Sequence, residues 1–183
     1  MVTLVDAIVK DRWEKEFTSG SDKNYPNIEL VRLEKWFFNN KPGKLIEYGF
    51  GSGVNTRHMG RCGYSIYGVD ATEGAIVKAK SKTRGDDKIK GKISLQTLAP
   101  GSKKLPFEDG FFDYAIIISV ISLLGGLDRI NLVFSEINRV LKTGGKIIAD
   151  VNTNMSQFAL DGMKTGNHTY INWYRSCVCI VYN

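Results

Sequence analysis

Apolar residues Val5, Ile8, Val9, Trp13 and Phe17 recur at helical spacing and predict a first helix over about residues 4–18. Thr18 to Pro26 (TSGSDKNYP) is rich in turn formers and reads as a loop. A second helix carries Leu30, Leu33 and Phe37 on one face and stops at Asn39-Asn40-Lys41-Pro42-Gly43, which cannot continue it. The pattern then changes to strand, turn, helix, strand. Lys44 to Tyr48 (KLIEY) is a short strand, Gly49 to Gly53 a glycine loop, residues 53–61 the start of a helix, and Tyr64 to Val69 a second strand ended by Asp70. Thr72 is placed to cap the next helix, whose apolar surface comes from Ile76, Val77 and Ala79. Ile93 to Leu98 is a third strand. Tyr114 to Val120 (YAIIISV) is a fourth, apolar on both faces like the centre of a covered parallel sheet. Leu127, Ile130, Phe134, Ile137 and Leu141 form one face of an amphipathic helix that ends at Thr143-Gly144-Gly145, and Lys146 to Val151 is the fifth strand.

This alternation predicts an α/β fold: a Rossmann-like, doubly wound, mostly parallel sheet with helices on both faces. The chain divides into a helical cap (1–43), an α/β core (44–151) and a C-terminal strand segment of the same domain (152–183). His168 to Asn183 reads as one or two strands, so the C-terminal part of the fold is expected to be shortened or truncated. Such an end would leave an apolar strand edge that invites a homodimer.

Composition narrows the class. With 183 residues, 43% hydrophobic and 24% charged, the chain suits one globular domain and excludes a disordered or collagen-like one. No apolar run is long enough for a bilayer, and Met1 to Lys10 carries charge too early for a signal peptide, so no membrane partner is expected. Three cysteines, Cys62, Cys177 and Cys179, are too few for a disulfide framework and point to a reducing, cytoplasmic setting. The net charge of +6 is concentrated in Lys78 to Lys92, with seven basic residues against two acidic ones. No aromatic residue is interleaved there for base stacking, so a solvated surface is favoured over a nucleic-acid groove.

The chemistry centres on Glu47-Tyr48-Gly49-Phe50-Gly51-Ser52-Gly53, which leaves a strand and enters a helix. Glycines there let the chain turn sharply and let a ligand approach main-chain N–H groups. Asp70 ends the next strand 21 positions after Gly49, where a carboxylate can accept both ribose hydroxyls of a nucleoside; its other reading is a helix-capping acid beside Thr72 and Glu73. A dinucleotide fingerprint needs a third glycine at Val54 or Thr56, and neither register has it; a P-loop is also absent.

Four blocks in order resemble a class I S-adenosylmethionine-dependent methyltransferase: LIEYGFGSG at 45–53, GYSIYGVDATEGAIVKAK at 63–80, LPFEDGFFDYAIIISV at 105–120 and EINRVLKTGGKIIADV at 136–151. The resemblance implies a seven-stranded sheet with an antiparallel last strand, S-adenosyl-L-methionine as cofactor and S-adenosyl-L-homocysteine as product. It implies that Gly49, Gly51 and Gly53 with Tyr48 pass the methionine part of the cofactor, and that Glu47 orients its amino group. Asp70 would hold the ribose hydroxyls, Ala71 would pack on adenine, and Ser119 would face the methionine part and the transfer site. Where the family often has an acid for the adenine amino group, this chain has Gly101; backbone groups or Ser102 would have to substitute.

The acceptor is narrowed by absences. Ser119-Val120-Ile121-Ser122 replaces the motif used on nucleic-acid amino groups, no cysteine follows a proline as cytosine C5 chemistry needs, and Leu123-Leu124-Gly125-Gly126 lacks the paired glutamates of arginine methylation. A small-molecule acceptor is the expectation. The alternatives are a non-catalytic or truncated cofactor-binding relative and an RNA methyltransferase using the 78–92 stretch. His58 reads as a surface or packing residue, as does His168, and the two histidines alone make no metal site; Cys177-Val178-Cys179 reads as a buried strand. Trp13, Tyr25 and Pro26 suit an N-terminal lid or aromatic packing equally, and no catalytic residue is assigned.

Overall fold

The computed structural model describes residues 4–20, 22–39 and 41–152, with side chains from residue 7 onward, and the backbone of three short strands between 163 and 180. His168 and the side chains of Cys177 and Cys179 therefore lie outside the described residues, as do residues 153–162. Two helices, α1 (Leu4–Thr18) and α2 (Ile28–Phe37), lead into β1 (Lys44–Tyr48), α3 (Val54–Arg61), β2 (Ser65–Asp70), α4 (Glu73–Thr83), β3 (Ile93–Thr97) and β4 (Phe112–Ile117). A 3-10 turn at Ile121–Leu123, α5 (Leu127–Val140) and β5 (Leu141–Ala149) follow. The five strands pair in parallel in the order β3-β2-β1-β4-β5. The expected Rossmann-like sheet is thus present, and its strand order reverses between β1 and β4, where open α/β sheets form a crevice at the carboxyl ends.

Strand alternation sorts the core into two faces. Ile46, Tyr48, Ala115 and Ile117 pack with Ile130, Val133, Ile137 and Val140 of α5. Leu45 and Ile116 pack on the other face with Leu30 and Phe38 from α2, Met59 of α3, and Tyr64 and Ile66. Each such aliphatic side chain contributes about 1.5–3 kcal/mol when fully buried. Helix α4 lies beside α3 and covers β2 and β3 through Ala75 and Ala79, which pack with Phe50, Phe17 and Leu95. No helix among the described residues is long and apolar enough to cross a membrane.

Several sequence expectations shift. The buried face of α2 is Leu30, Glu34 and Phe38, while Phe37 is 38% exposed, so the helix is rotated from the Leu30–Leu33–Phe37 face. Val77 is exposed, and Ala75 with Ala79 seals α4 instead. Leu127 is also exposed; Val133 and Val140 join Ile130 and Ile137 in the buried stripe of α5. That helix ends at Val140, before the Thr143-Gly144-Gly145 stop, because Leu141 already pairs with Phe112. The next pair is Tyr114 with Lys146, so the intervening residues of β5 bulge, with Gly144 at φ 78°. The C-terminal strands, β6 (Met163–Lys164), β7 (Thr169–Asn172) and β8 (Cys177–Ile180), form a separate antiparallel sheet instead of extending the parallel one.

The third and fourth sequence blocks are one structural unit. Glu136 Oε2 accepts the Leu105 N–H at 2.7 Å. The Arg139 guanidinium donates to Leu105 O at 3.1 Å, Phe107 O at 2.9 Å and Asp109 Oδ1 at 2.6 Å, and is held by Glu136 itself. A glutamate and an arginine three residues apart on α5 thereby fix the irregular segment that feeds β4. Replacing Arg139 by alanine leaves two backbone carbonyls and the Glu136 carboxylate without this donor, and is expected to cost about 1–3 kcal/mol. Urea unfolding measures it; an unchanged midpoint would mean that water replaces the clamp.

Candidate functional site

The glycine loop is shaped by what presses on it. Gly49 adopts φ 75°, and a Cβ there would lie 2.4 Å from Val120 Cγ2, so only glycine lets β1 leave the sheet against the exit of β4. Gly53, at φ 80°, touches Ala79: a Cβ would lie 2.7 Å from its Cα, so α3 and α4 approach backbone to backbone. Between them the Gly51 N–H donates to Asp70 Oδ2 at 2.9 Å. The other oxygen of Asp70 accepts the Thr72 N–H at 3.1 Å and the Thr72 hydroxyl at 2.9 Å. Thr72 is itself the N-cap of α4. The two sequence readings of Asp70 therefore merge: it positions the helix cap and joins the end of β2 to the glycine loop.

Glu47 lies one strand position before Tyr48 and is 2% exposed. Thr56 Oγ1 of α3 donates to its Oε2 at 2.5 Å. Burial pushes this carboxyl up to about 8, the Asp70 charge adds to the shift, and the Thr56 hydrogen bond opposes it. Burial also raises Asp70, against the pull of the Gly51 and Thr72 donors. Tyr48 points to the opposite face, in the α5-side cluster. Ala71 is half-buried directly after Asp70. Ser119, exposed and at φ 61°, donates its N–H to Asp150 Oδ1 at 2.5 Å and its hydroxyl to Asp150 Oδ2 at 3.4 Å. The structure thus gathers Glu47, Gly49, Gly51, Gly53 and Asp70 at one end of the sheet, with Glu47 held by Thr56 and Asp70 by the Gly51 amide, and Val120 brings the Ser119 turn against them.

Sequence reasoning missed the N-terminal contribution. Glu14 of α1 accepts the Gly74 N–H at 2.9 Å and the Glu73 N–H at 3.1 Å, neutralising the first turn of α4. The Phe17 ring comes within 3.6 Å of the position a Gly51 Cβ would take, and it stacks on Trp13 at 5.7 Å. Asp22 accepts from Lys82 Nζ at 2.6 Å and from Ser52; burial works against the charge, but these donors hold the carboxyl below its usual range. The Asn27 N–H donates to Asn55 Oδ1 at 2.9 Å. Residues before the sheet therefore lie over the glycine loop, as a lid would, although Tyr25 is itself exposed. Glu14 gives no signal in the sequence, because a charge within an amphipathic helix normally faces water.

The basic stretch is partly spent. Lys82 is bound to Asp22, and Asp86 accepts from Arg57 at 2.6 Å and Arg61 at 2.9 Å. Lys80, Arg84, Lys88, Lys90 and Lys92 are exposed. His58, in the last turn of α3, is half-buried beside Cys62 and does not join the glycine-loop unit.

A family model described as a methyltransferase domain matches residues 46–149. A ubiquinone/menaquinone biosynthesis C-methyltransferase from Geobacter sp. (strain M21) is 33% identical over 112 residues, 60% of this chain and 45% of that protein. The 18S rRNA (guanine(1575)-N(7))-methyltransferase of Saccharomyces cerevisiae is 28% identical over 131 residues, 67% of this chain and 42% of that protein. The matched stretch thus spans less than half of these relatives. Among solved structures, the PH0226 protein of Pyrococcus horikoshii OT3 superposes with a TM-score of 0.69 at 24% identity, over 96% of this chain and 80% of that one.

The raised Glu47 carboxyl has a stability consequence. Between its ordinary value of 4.5 and about 8 the folded state holds a proton that the unfolded state has lost, so this residue costs stability as pH rises through that window. Glu47→Gln, which can still accept from Thr56, is expected to stabilise the protein by about 1–3 kcal/mol near pH 8 and by little near pH 5. Thermal unfolding at both pH values measures this; a gain independent of pH would reject the buried-anion account.

Proposed function

The chain belongs to the methyltransferase-domain family, and on that premise we propose that it transfers a methyl group from S-adenosyl-L-methionine to a small-molecule acceptor. The single observation that carries the reading is the cluster of Glu47, the glycine loop and Asp70: a buried carboxyl held by Thr56 and a half-buried carboxylate held by the Gly51 amide, side by side at the carboxyl ends of β1 and β2. The donor set fits the cofactor. A buried carboxylate whose charged neighbour is another carboxylate calls for a cation, which the amino group of a methionine moiety provides.

In this reading Glu47 binds the amino group, and Tyr48, Gly49, Gly51 and Gly53 form the wall along the methionine moiety. Asp70 accepts from the ribose hydroxyls with lone pairs left over from Gly51 and Thr72, and Ala71 packs on adenine. Ser102 Oγ donates to Ala99 O at 2.6 Å, so near the adenine it offers only lone pairs, and backbone groups around Gly101 take the missing acid's place. When bound, S-adenosylmethionine would supply an electrophilic methyl on a sulfonium, with the S-adenosylhomocysteine thioether as the group that leaves. The chain's own part is to orient the acceptor and exclude water. Ser119 is fixed by Asp150 in a turn that faces the transfer site, and the α1 lid shields the loop from the other side.

The small-molecule reading is supported by the strand-four exit, Ser119 to Ser122, and by the resemblance to a C-methyltransferase of quinone biosynthesis. A second reading, RNA methylation, draws on the five exposed cations between Lys80 and Lys92 and on the yeast rRNA relative. It requires RNA affinity that falls steeply with salt; undetectable or salt-independent binding removes it.

Calorimetry with S-adenosylhomocysteine tests the pocket. One site is expected, weakened about 10–100-fold by Asp70→Ala and less by Asp70→Asn, which keeps the cap geometry. The ligand ammonium favours ionised Glu47, so binding near neutral pH should release a proton, and affinity should rise with pH and level off near 8. Comparison of buffers with different ionisation enthalpies reads that proton, and Glu47→Gln should abolish it. No binding by the folded chain would end the reading; binding without turnover of any acceptor would favour a non-catalytic relative.

A further inference from the structure

A second cluster lies at the other end of α3, remote from the glycine loop and independent of the function proposed above. Glu34 of α2, His58 in the last turn of α3 and Cys62 at its C-cap bring a carboxylate oxygen, an imidazole nitrogen and a thiol sulfur within 4.8 Å of one another. The cluster sits beside Tyr64, just before β2 begins, at the amino edge of the sheet opposite the crevice.

Glu34 is the anomaly. It is 2% exposed among Leu30, Phe38, Met59 and Ile66. The Tyr64 hydroxyl donates to Oε1 at 2.9 Å, but Oε2 is buried with no hydrogen-bond partner. A buried carboxylate oxygen left unpaired is costly, and apolar helix packing gives no reason to keep it. The Cys62 Sγ···His58 Nε2 contact of 3.7 Å satisfies those two groups and still leaves Oε2 unexplained. A cation between the three explains all of them.

We propose that Glu34, His58 and Cys62 form a site for a divalent transition metal of the zinc class, with water as fourth ligand. The donors select the metal: nitrogen and sulfur with one carboxylate suit zinc or cobalt rather than magnesium or calcium. The spacing agrees, because a tetrahedral Zn–S and Zn–N pair puts sulfur and nitrogen about 3.5 Å apart. His58 and Cys62 are four residues apart and share one helix face, and Glu34 closes the triangle from α2. Burial holds the imidazole below its ordinary range, with Lys35 and Arg61 adding to the shift and the charge of Glu34 opposing it. Ligation displaces the thiol proton to solvent, one proton per metal bound. The metal would fasten the C-terminal halves of α2 and α3, whose N-terminal ends are already joined by Asn27 and Asn55.

The test uses the full chain, stripped with a chelator under reducing conditions and titrated with Co2+. One equivalent should produce a thiolate-to-cobalt charge-transfer band and intense tetrahedral ligand-field bands, both abolished by added Zn2+. Cys62→Ser should lose the charge-transfer band and weaken zinc at least about 10–100-fold. Half-buried His58→Gln and the isosteric Glu34→Gln, which keeps the Tyr64 bond, should weaken it comparably while far-UV circular dichroism stays unchanged. Zinc should raise the melting temperature of the wild type and not of Cys62→Ser. The double variant Cys177→Ser/Cys179→Ser should bind as the wild type does. Absence of the band in the wild type, its survival in Cys62→Ser, or its loss in the Cys177/Cys179 variant would each overturn the assignment.

Discussion

The hydrogen bond from the Gly51 amide to Asp70 carries the pairing of β1 with β2 beyond the last ladder bond, Gly49 N–H to Val69 O, and into the glycine turn. A carboxylate at the end of β2 would otherwise be buried at a cost, and an N–H in a tight glycine turn would otherwise lack a partner. Their pairing fixes the turn, and the turn aims α3. Through Thr72 the same carboxylate also sets the first turn of α4. Gly53 then lets the two helices touch at Ala79, so one acid positions the strand exits and both helices that leave them.

Buried acid recurs on the α2/α3 face of the sheet, and each instance accepts from a hydroxyl. Thr56 serves Glu47 near the carboxyl ends, and Tyr64 serves Glu34 at the amino edge. A hydroxyl donor offsets part of the desolvation cost without neutralising the charge, so each carboxylate remains a place where a cation gains more than it would in water. Glu14 makes the contrast: its partners are the two free N–H groups at the start of α4, and it is fully engaged.

How much of this was legible follows from what each element needs. Strand β1 is read correctly from KLIEY, because alternation and the glycine stop agree on its ends. Helix α2 was rotated in the sequence reading because Phe37 and Phe38 are equally apolar, and only packing against Tyr64 and Tyr114 selects Phe38. The same rotation places Glu34, four residues after Leu30, on the buried face. The Thr143-Gly144-Gly145 run was taken for a helix stop, since pairing of Leu141 with Phe112 is a long-range event that local pattern cannot express. Of the site, the glycines and Asp70 were legible because backbone geometry restricts their identities. Glu14, Asp22 and Asp150 were not, because their roles depend on which surface they meet after folding.

Helix α3 spans the distance between the two carboxylate environments. Its first residue follows Gly53, its first turn carries Thr56 against Glu47, and its last turn carries His58 against Glu34. With eight residues it is too short to be stable alone, so its position is decided by what holds its ends. The glycine loop holds one end through backbone contacts that tolerate no Cβ. The other end is held by the Arg57 and Arg61 pairs with Asp86 and by the Lys90 and Gly91 amides, which donate to Gly60 O. The two clusters are therefore chemically separate but share one short helix, fixed at both ends by contacts from outside it.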